Sequence, residues 1–198
     1  MNFKTSDLVW TRPPKVYKIE QDKITMTTEP NTDLWQRTYY GFQNDNAPCL
    51  QMKTAQKFFS FSFKTHFDSK TRFDQSGLVM YLDSDNWAKA SVEYEDDKIQ
   101  RLGTVVTNNG YSDWSSNDVS STIKSMWFRF SRRESDFYIE YSEDGKNWKQ
   151  MRMFHMFKGD GEISFGIYAC SPGKKASFDA SFSNFEMTEC KWLPEPSN

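Results

Sequence analysis

Apolar residues recur at every second position along most of this chain, most plainly in Phe59-Ser60-Phe61-Ser62-Phe63-Lys64-Thr65-His66-Phe67. Period two marks a strand with one buried face, so Phe59, Phe61, Phe63 and Phe67 are expected inward. The same reading predicts an opening hairpin of 16–19 and 23–27, and strands over 78–82 and 88–94 joined by a turn at Asp83-Ser84-Asp85-Asn86. Further strands are expected over 99–107, 126–133, 137–142, 148–154, 163–170 and 176–188. Asn109-Gly110, Asp144-Gly145, Gly159-Asp160-Gly161 and Pro172-Gly173 separate them with turn chemistry. One short helical turn is expected over 118–123. No linker or repeat divides the chain, so the pattern predicts one all-β domain over 1–198, built as a sandwich of two antiparallel sheets.

Composition agrees. Seven Trp, nine Tyr and seventeen Phe favour pleated, half-buried surfaces. No apolar run approaches the roughly 20 residues of a membrane helix. A formal charge of −2 without a basic stripe argues against nucleic acid as a partner. Cys49, Cys170 and Cys190 have no paired spacing, which predicts neither a disulfide framework nor a zinc site. The first residues lack a secretory signal and no Asn-x-Ser/Thr acceptor occurs, so a cytoplasmic location is expected. With only His66 and His155 available, no metal or cofactor is expected.

The two faces of the strands differ. One face carries Leu78, Met80, Leu82, Ala88, Ala90, Val92, Met126, Phe128, Phe130, Phe137 and Ile139, and reads as core. The other mixes Gln75, Tyr81, Lys89 and Glu93 with Trp127, Arg129, Arg133, Tyr138 and Glu140. Rings that stack beside polar groups that orient suit a ligand groove. A solvated face with ion pairs of the Lys89–Glu93 kind is the alternative.

Two segments add candidates. Asp33-Leu34-Trp35-Gln36-Arg37-Thr38-Tyr39-Tyr40-Gly41-Phe42 would, by alternation, send Trp35, Arg37 and Tyr39 to one side. Arg37 between two rings suits a carboxylate or phosphate, or a structural cation–π ladder. The stretch 106–115, read as a loop, holds Tyr111, Asp113 and Trp114, either for a sugar ring or for packing on its own sheet. Asp83–Asn86 lacks the glycine and distal glutamate of a calcium loop. For catalysis, Glu93 and Glu140 are the carboxylate candidates; no Glu-x-Asp-x-x-Glu arrangement, serine elbow or phosphate loop occurs. Cys49 and Cys170 read as buried, inert thiols.

The segments DLWQRTYYGFQNDNAP, FDQSGLVMYLDSDNWAKASVEYE, RLGTVVTNNGYSDWSS, FRFSRRESDFYIEYSEDGKNWKQMRMFH and GIYACSPG resemble a family of domains of unknown function that includes a regulation of enolase protein. The resemblance runs from Trp10 to Trp192. It implies a concanavalin A-like jelly-roll sandwich and a link to carbohydrate metabolism, but no enzymatic activity. More distantly, the chain is similar to non-catalytic sandwich domains attached to some β-xylosidases. Twelve residues inside the matching motifs form the candidate site: Trp35, Arg37, Tyr39, Gln75, Lys89, Glu93, Tyr111, Asp113, Trp114, Arg129, Arg133 and Arg152. The expected function is a non-catalytic binding module for a carbohydrate, with the four arginines favouring an anionic sugar or sugar phosphate. The alternatives are a regulator that contacts a metabolic enzyme, and a glycosidase-like enzyme using Glu93.

Overall fold

In a computed structural model describing residues 3–194, the alternating segments become strands and pack their phenylalanines face to face. The strands are β1 (Val9–Trp10), β2 (Val16–Ile19), β3 (Lys23–Thr27), β4 (Leu34–Gln36), β5 (Gln43–Asp45), β6 (Cys49–Thr54), β7 (Phe58–Phe67) and β8 (Gln75–Asp83). They continue as β9 (Asn86–Tyr94), β10 (Ile99–Asn108), β11 (Tyr111–Ser120), β12 (Ser125–Arg133), β13 (Asp136–Ser142), β14 (Lys149–His155), β15 (Ile163–Cys170) and β16 (Asp179–Thr188). A single 3₁₀ turn, Thr5–Asp7, precedes them.

Two seven-stranded antiparallel sheets form the jelly-roll sandwich. The first runs β1-β6-β15-β8-β9-β10-β11 and the second β14-β13-β12-β7-β16-β3-β2. Between them Phe59, Phe61, Phe63, Phe128, Phe130, Phe137, Phe165 and Phe182 are wholly buried. Each such ring contributes about 1.5–3 kcal/mol relative to exposure. Phe130 and Phe137 stack with centroids 5.4 Å apart. Thr65 also points inward and joins Ser76 of the opposite sheet through a 2.6 Å hydroxyl contact. That bond satisfies both buried hydroxyls.

The sheets differ in their outer faces. Along β12 burial alternates from Ser125 to Phe130, as a half-solvated strand should. Along β8 and β9 the first six and seven residues are all buried. The cause is a separate two-stranded sheet, β4–β5, that lies over the outer face of the first sheet. Leu34 of that cover and Ala47, just after β5, meet Cys49, Val79, Trp87, Val105, Tyr168 and Cys170 in a second, smaller core.

Three expectations need correction. The strands 78–94 and 126–142 belong to different sheets, so their polar faces lie on opposite outer surfaces of the sandwich. The stretch 106–115 is not a loop: Asn109-Gly110 is a tight turn with both residues at positive φ, and Tyr111–Ser120 pairs with β10 along its full length. The helical turn over 118–123 is instead the end of β11 and a turn at Ser121-Thr122. β11 escapes recognition because it is a polar edge strand, mostly exposed, and lacks the alternation that burial imposes.

Candidate functional site

Cross-strand register builds the floor of the site. Gln75 of β8 pairs with Glu93 of β9, and Glu93 pairs with Arg101 of β10. Lys89 pairs with Val79 and Val105, and Val105 with Trp114 of β11. Side chains directly opposite share one face, so two rows, Gln75–Glu93–Arg101 and Lys89–Val105–Trp114, run side by side across the sheet. Between them lie the small residues Gly77, Ser91 and Gly103. Gly103 is small for a reason: a Cβ there would stand 2.8 Å from the Trp114 indole nitrogen.

The β4–β5 cover does not seal this floor. A cavity of about 930 Å³ remains, within the range of ligand pockets. Trp35, Tyr39, Tyr40 and Phe42 from the cover, Phe73 from the segment before β8, and Trp114 from β11 ring it. The alternation expected over 34–40 stops at Gln36. Arg37, Tyr39, Tyr40 and Gly41 all have positive φ, so the chain turns sharply and throws both tyrosines outward, each 79% exposed. Phe73 also has positive φ (75°). Bulky residues held in this conformation cost of order 1–3 kcal/mol each and cluster at functional sites.

The cover is pinned in place. Arg37 donates to Asp85 Oδ1 and to the Gly110 carbonyl, both at 2.8 Å, tying the turn to two hairpin turns of the first sheet. Trp35 Nε1 donates to the Thr38 carbonyl at 2.8 Å, and Tyr81 donates to Asp45 at 2.7 Å.

At the deep end of the cavity sits a polar network. Gln75 Oε1 accepts from Lys89 Nζ and from the Tyr168 hydroxyl, both at 2.8 Å. Its Nε2 donates to Glu93 Oε2 at 3.0 Å and to the Phe73 carbonyl at 3.2 Å. Lys89, with a side chain only 5% exposed, also meets Asp33 Oδ1 at 3.4 Å. Burial pushes the Glu93 carboxyl up to about 7; the Lys89 ammonium opposes this and the Asp33 and Glu95 carboxylates add to it. Nearer the rim, Glu95 pairs with Arg72 at 2.7 Å and Arg101 at 3.7 Å. The Cys49 thiol is pushed up to about 12 by burial, and that of Cys170 is raised in the same way, so neither is a ready nucleophile.

Of the twelve candidates, seven line this cavity: Trp35, Tyr39, Gln75, Lys89, Glu93, Asp113 and Trp114. Arg37 pins the cover instead, and Tyr111 stands exposed outside the cavity lining. The four arginines do not converge. Arg129 and Arg133 lie on the second sheet, and Arg152 reaches from β14 to Asp113 at the sandwich edge. Glu140, offered as partner to Glu93, is on the second sheet too, held by Arg129 at 2.6 and 2.7 Å. Asp33, Tyr40, Phe42, Arg72, Phe73, Arg101 and Tyr168 were not singled out by sequence. Asp33, Tyr40 and Phe42 stand inside the aromatic-dense segment and could have been; Tyr168 carries no local signal.

A two-sheet jelly roll with a partly roofed, aromatic-rimmed cavity on one outer face is the class that fold and site define. The chain belongs to the family described as protein of unknown function (DUF1349), whose model matches residues 10–190. It is 29% identical over 187 residues to Regulation of enolase protein 1 of Saccharomyces cerevisiae, covering 94% of this chain and 92% of that one. A crystal structure of a functionally unknown protein from Saccharomyces cerevisiae superposes with a TM-score of 0.87 at 28% identity, covering 97% of this chain and all of the other. The GH43 protein BlXynB of Bacillus licheniformis matches with a TM-score of 0.73 at 17% identity, over 92% of this chain and 37% of that one. This last likeness concerns the fold alone.

Proposed function

We propose that this chain is a non-catalytic carbohydrate-binding module and that the cavity beneath β4–β5 is its site. The observation that carries this reading is the rim. Tyr39, Tyr40, Phe42, Phe73 and Trp114 are all exposed large rings, and all border one cavity with a polar floor. A pyranose offers apolar C–H faces to such rings and hydroxyls to Gln, Lys, Asp and Glu side chains. The name of the yeast relative supports placing this binding in sugar metabolism and in the cytoplasm.

The test is titration of the protein with mono- and oligosaccharides, followed by tryptophan fluorescence and thermal shift. A ligand at a hundredfold excess over Kd should stabilise the fold by about 2.7 kcal/mol. Trp114→Ala should weaken binding about tenfold, in line with the worth of one stacked ring. Unchanged affinity in that variant would remove the cavity from the reading.

Glu93 favours a second reading. A carboxyl near 7 in a cavity is suited to general acid work, so a glycosidase-like activity is the enzymatic alternative. Turnover of aryl glycosides that disappears in Glu93→Gln would establish it, and turnover surviving that change would exclude Glu93. Contact with a metabolic enzyme, suggested by the yeast relative's name, is tested by affinity capture with purified enolase.

A further inference from the structure

Resting on the carbohydrate reading of this cavity, we infer that its ligand is an uncharged sugar, held through two neighbouring ring hydroxyls by Asp33, Lys89 and Glu93, and that sugar acids and sugar phosphates are rejected.

The argument starts with Gln75. Both lone-pair positions of its oxygen and both N–H groups are taken, by Lys89, Tyr168, Glu93 and the Phe73 carbonyl. It has nothing left for a ligand and serves to hold Lys89 and Glu93 at fixed positions on either side. Lys89 has three N–H groups; Gln75 and Asp33 take two, and the third has no partner among the described residues. Glu93 uses only Oε2, and Asp33 only Oδ1, which accepts from Leu34 N at 2.7 Å and from Lys89. The second oxygen of each has no partner among the described residues, and neither is among the sealed-off polar atoms. The cavity therefore presents one buried donor flanked by two open acceptors.

That set matches hydroxyls and mismatches anions. A hydroxyl donates and accepts, so one of a neighbouring pair can donate to Asp33, the other to Glu93, and one of the two can accept the remaining Lys89 N–H. A carboxylate or phosphate group only accepts, and would face two carboxylate oxygens. Among the described residues lining the cavity, every cation already has an acidic partner. Lining the cavity are four acids (Asp33, Glu93, Glu95, Asp113) against three bases (Arg72, Lys89, Arg101). Arg72 is paired with Glu95, Arg101 with Glu95 and Asp118, Lys89 with Asp33, and Asp113 with Arg152 from outside the lining, so Asp33 and Glu93 are the acids that face the ligand. Like charges brought together in a low-dielectric pocket repel strongly.

The experiment is calorimetric titration at pH 8 with matched pairs: glucose against glucuronate and glucose 6-phosphate, galactose against galacturonate, and deoxy analogues of whichever neutral sugar binds. The neutral member should bind at least tenfold tighter than its acid or phosphate, and loss of either hydroxyl of one adjacent pair should weaken it at least tenfold. Asp33→Asn and Glu93→Gln, which keep size and shape, should each narrow the neutral-to-acid ratio at least threefold. An acid or phosphate that binds as tightly as its neutral counterpart, with affinity lost in Trp114→Ala, overturns this inference and leaves the carbohydrate site standing. A ratio unmoved in both variants overturns it as well. If no member of the panel binds, the carbohydrate reading falls and the inference with it.

Discussion

The outer faces of the two sheets are built from similar residues, yet the polar groups predicted on the first border a roofed cavity while the arginines predicted on the second are taken up by their neighbours. On the second sheet Arg129 grips Glu140 with two hydrogen bonds while its guanidinium lies 4.3 Å from the Trp148 ring centre. Arg133 donates to the Trp192 carbonyl and lies over Phe58, and Tyr138 stacks on Trp192 at 5.4 Å. Those arginines are committed to their neighbours. On the first sheet the β4–β5 cover buries Lys89 and partly shields Glu93 without filling the space above them. Polar and aromatic composition alone does not make a site; groups held in place with hydrogen-bonding capacity unused do.

The contrast can be broken most forcefully at its tryptophans. Trp87, wholly buried under the cover, should cost about 3–5 kcal/mol on change to alanine. Trp127, half-buried on the open face beside Lys64, should cost about 1 kcal/mol or less. Urea unfolding of both variants checks this, and equal losses would mean that the cover contributes no real second core.

Arg129→Met comes next. It leaves the nearly buried Glu140 without its partner and should destabilise by about 2–4 kcal/mol. Sugar binding should be unchanged in the fraction that remains folded, because Arg129 belongs to the other sheet. Weaker binding in folded Arg129→Met would contradict the separation of the two faces.

The smallest effect is a pH dependence. Glu93 titrates near its ordinary 4.5 when unfolded and at about 7 when folded. Between those values the native chain keeps a proton that the unfolded chain has released. Its contribution is therefore most favourable below about 4.5 and is lost as pH rises through 7. Glu93→Gln removes this loss, so the variant should gain on the parent by about 1–3 kcal/mol between pH 4.5 and pH 8. Denaturation curves of both proteins at the two pH values measure the difference directly. A gain of the opposite sign would show that Glu93 is stabilised, not strained, as a carboxylate.

Much of the fold was legible because burial on one face writes period two into a strand. Phe59–Phe67 could be read this way, Ile163–Cys170 was legible as a short apolar strand although both its faces are buried, and tight turns at Asp83–Asn86 and Asn109-Gly110 were explicit. The polar strand β11 was not, since an exposed edge imposes no pattern. Residues 37–41 misled for the opposite reason: continued alternation was assumed where four positive φ angles turn the chain. In the site, Gln75, Lys89 and Glu93 could be grouped from the sequence because they share one face of a hairpin. Asp33, Phe73 and Tyr168 could not, because they arrive from elsewhere in the chain.

By itself, then, the sequence determined strand periodicity, the sandwich class, the phenylalanine core and the family, all of which depend on local pattern or on ordered motifs. Only the tertiary structure decided which polar face became a cavity. Two faces with the same alphabet were separated by about 10 Å of packed side chains, the usual spacing of stacked sheets. A hairpin from the N-terminal third covered one of them, and the internal partners of each arginine depend on contacts far apart in the chain that no local pattern encodes.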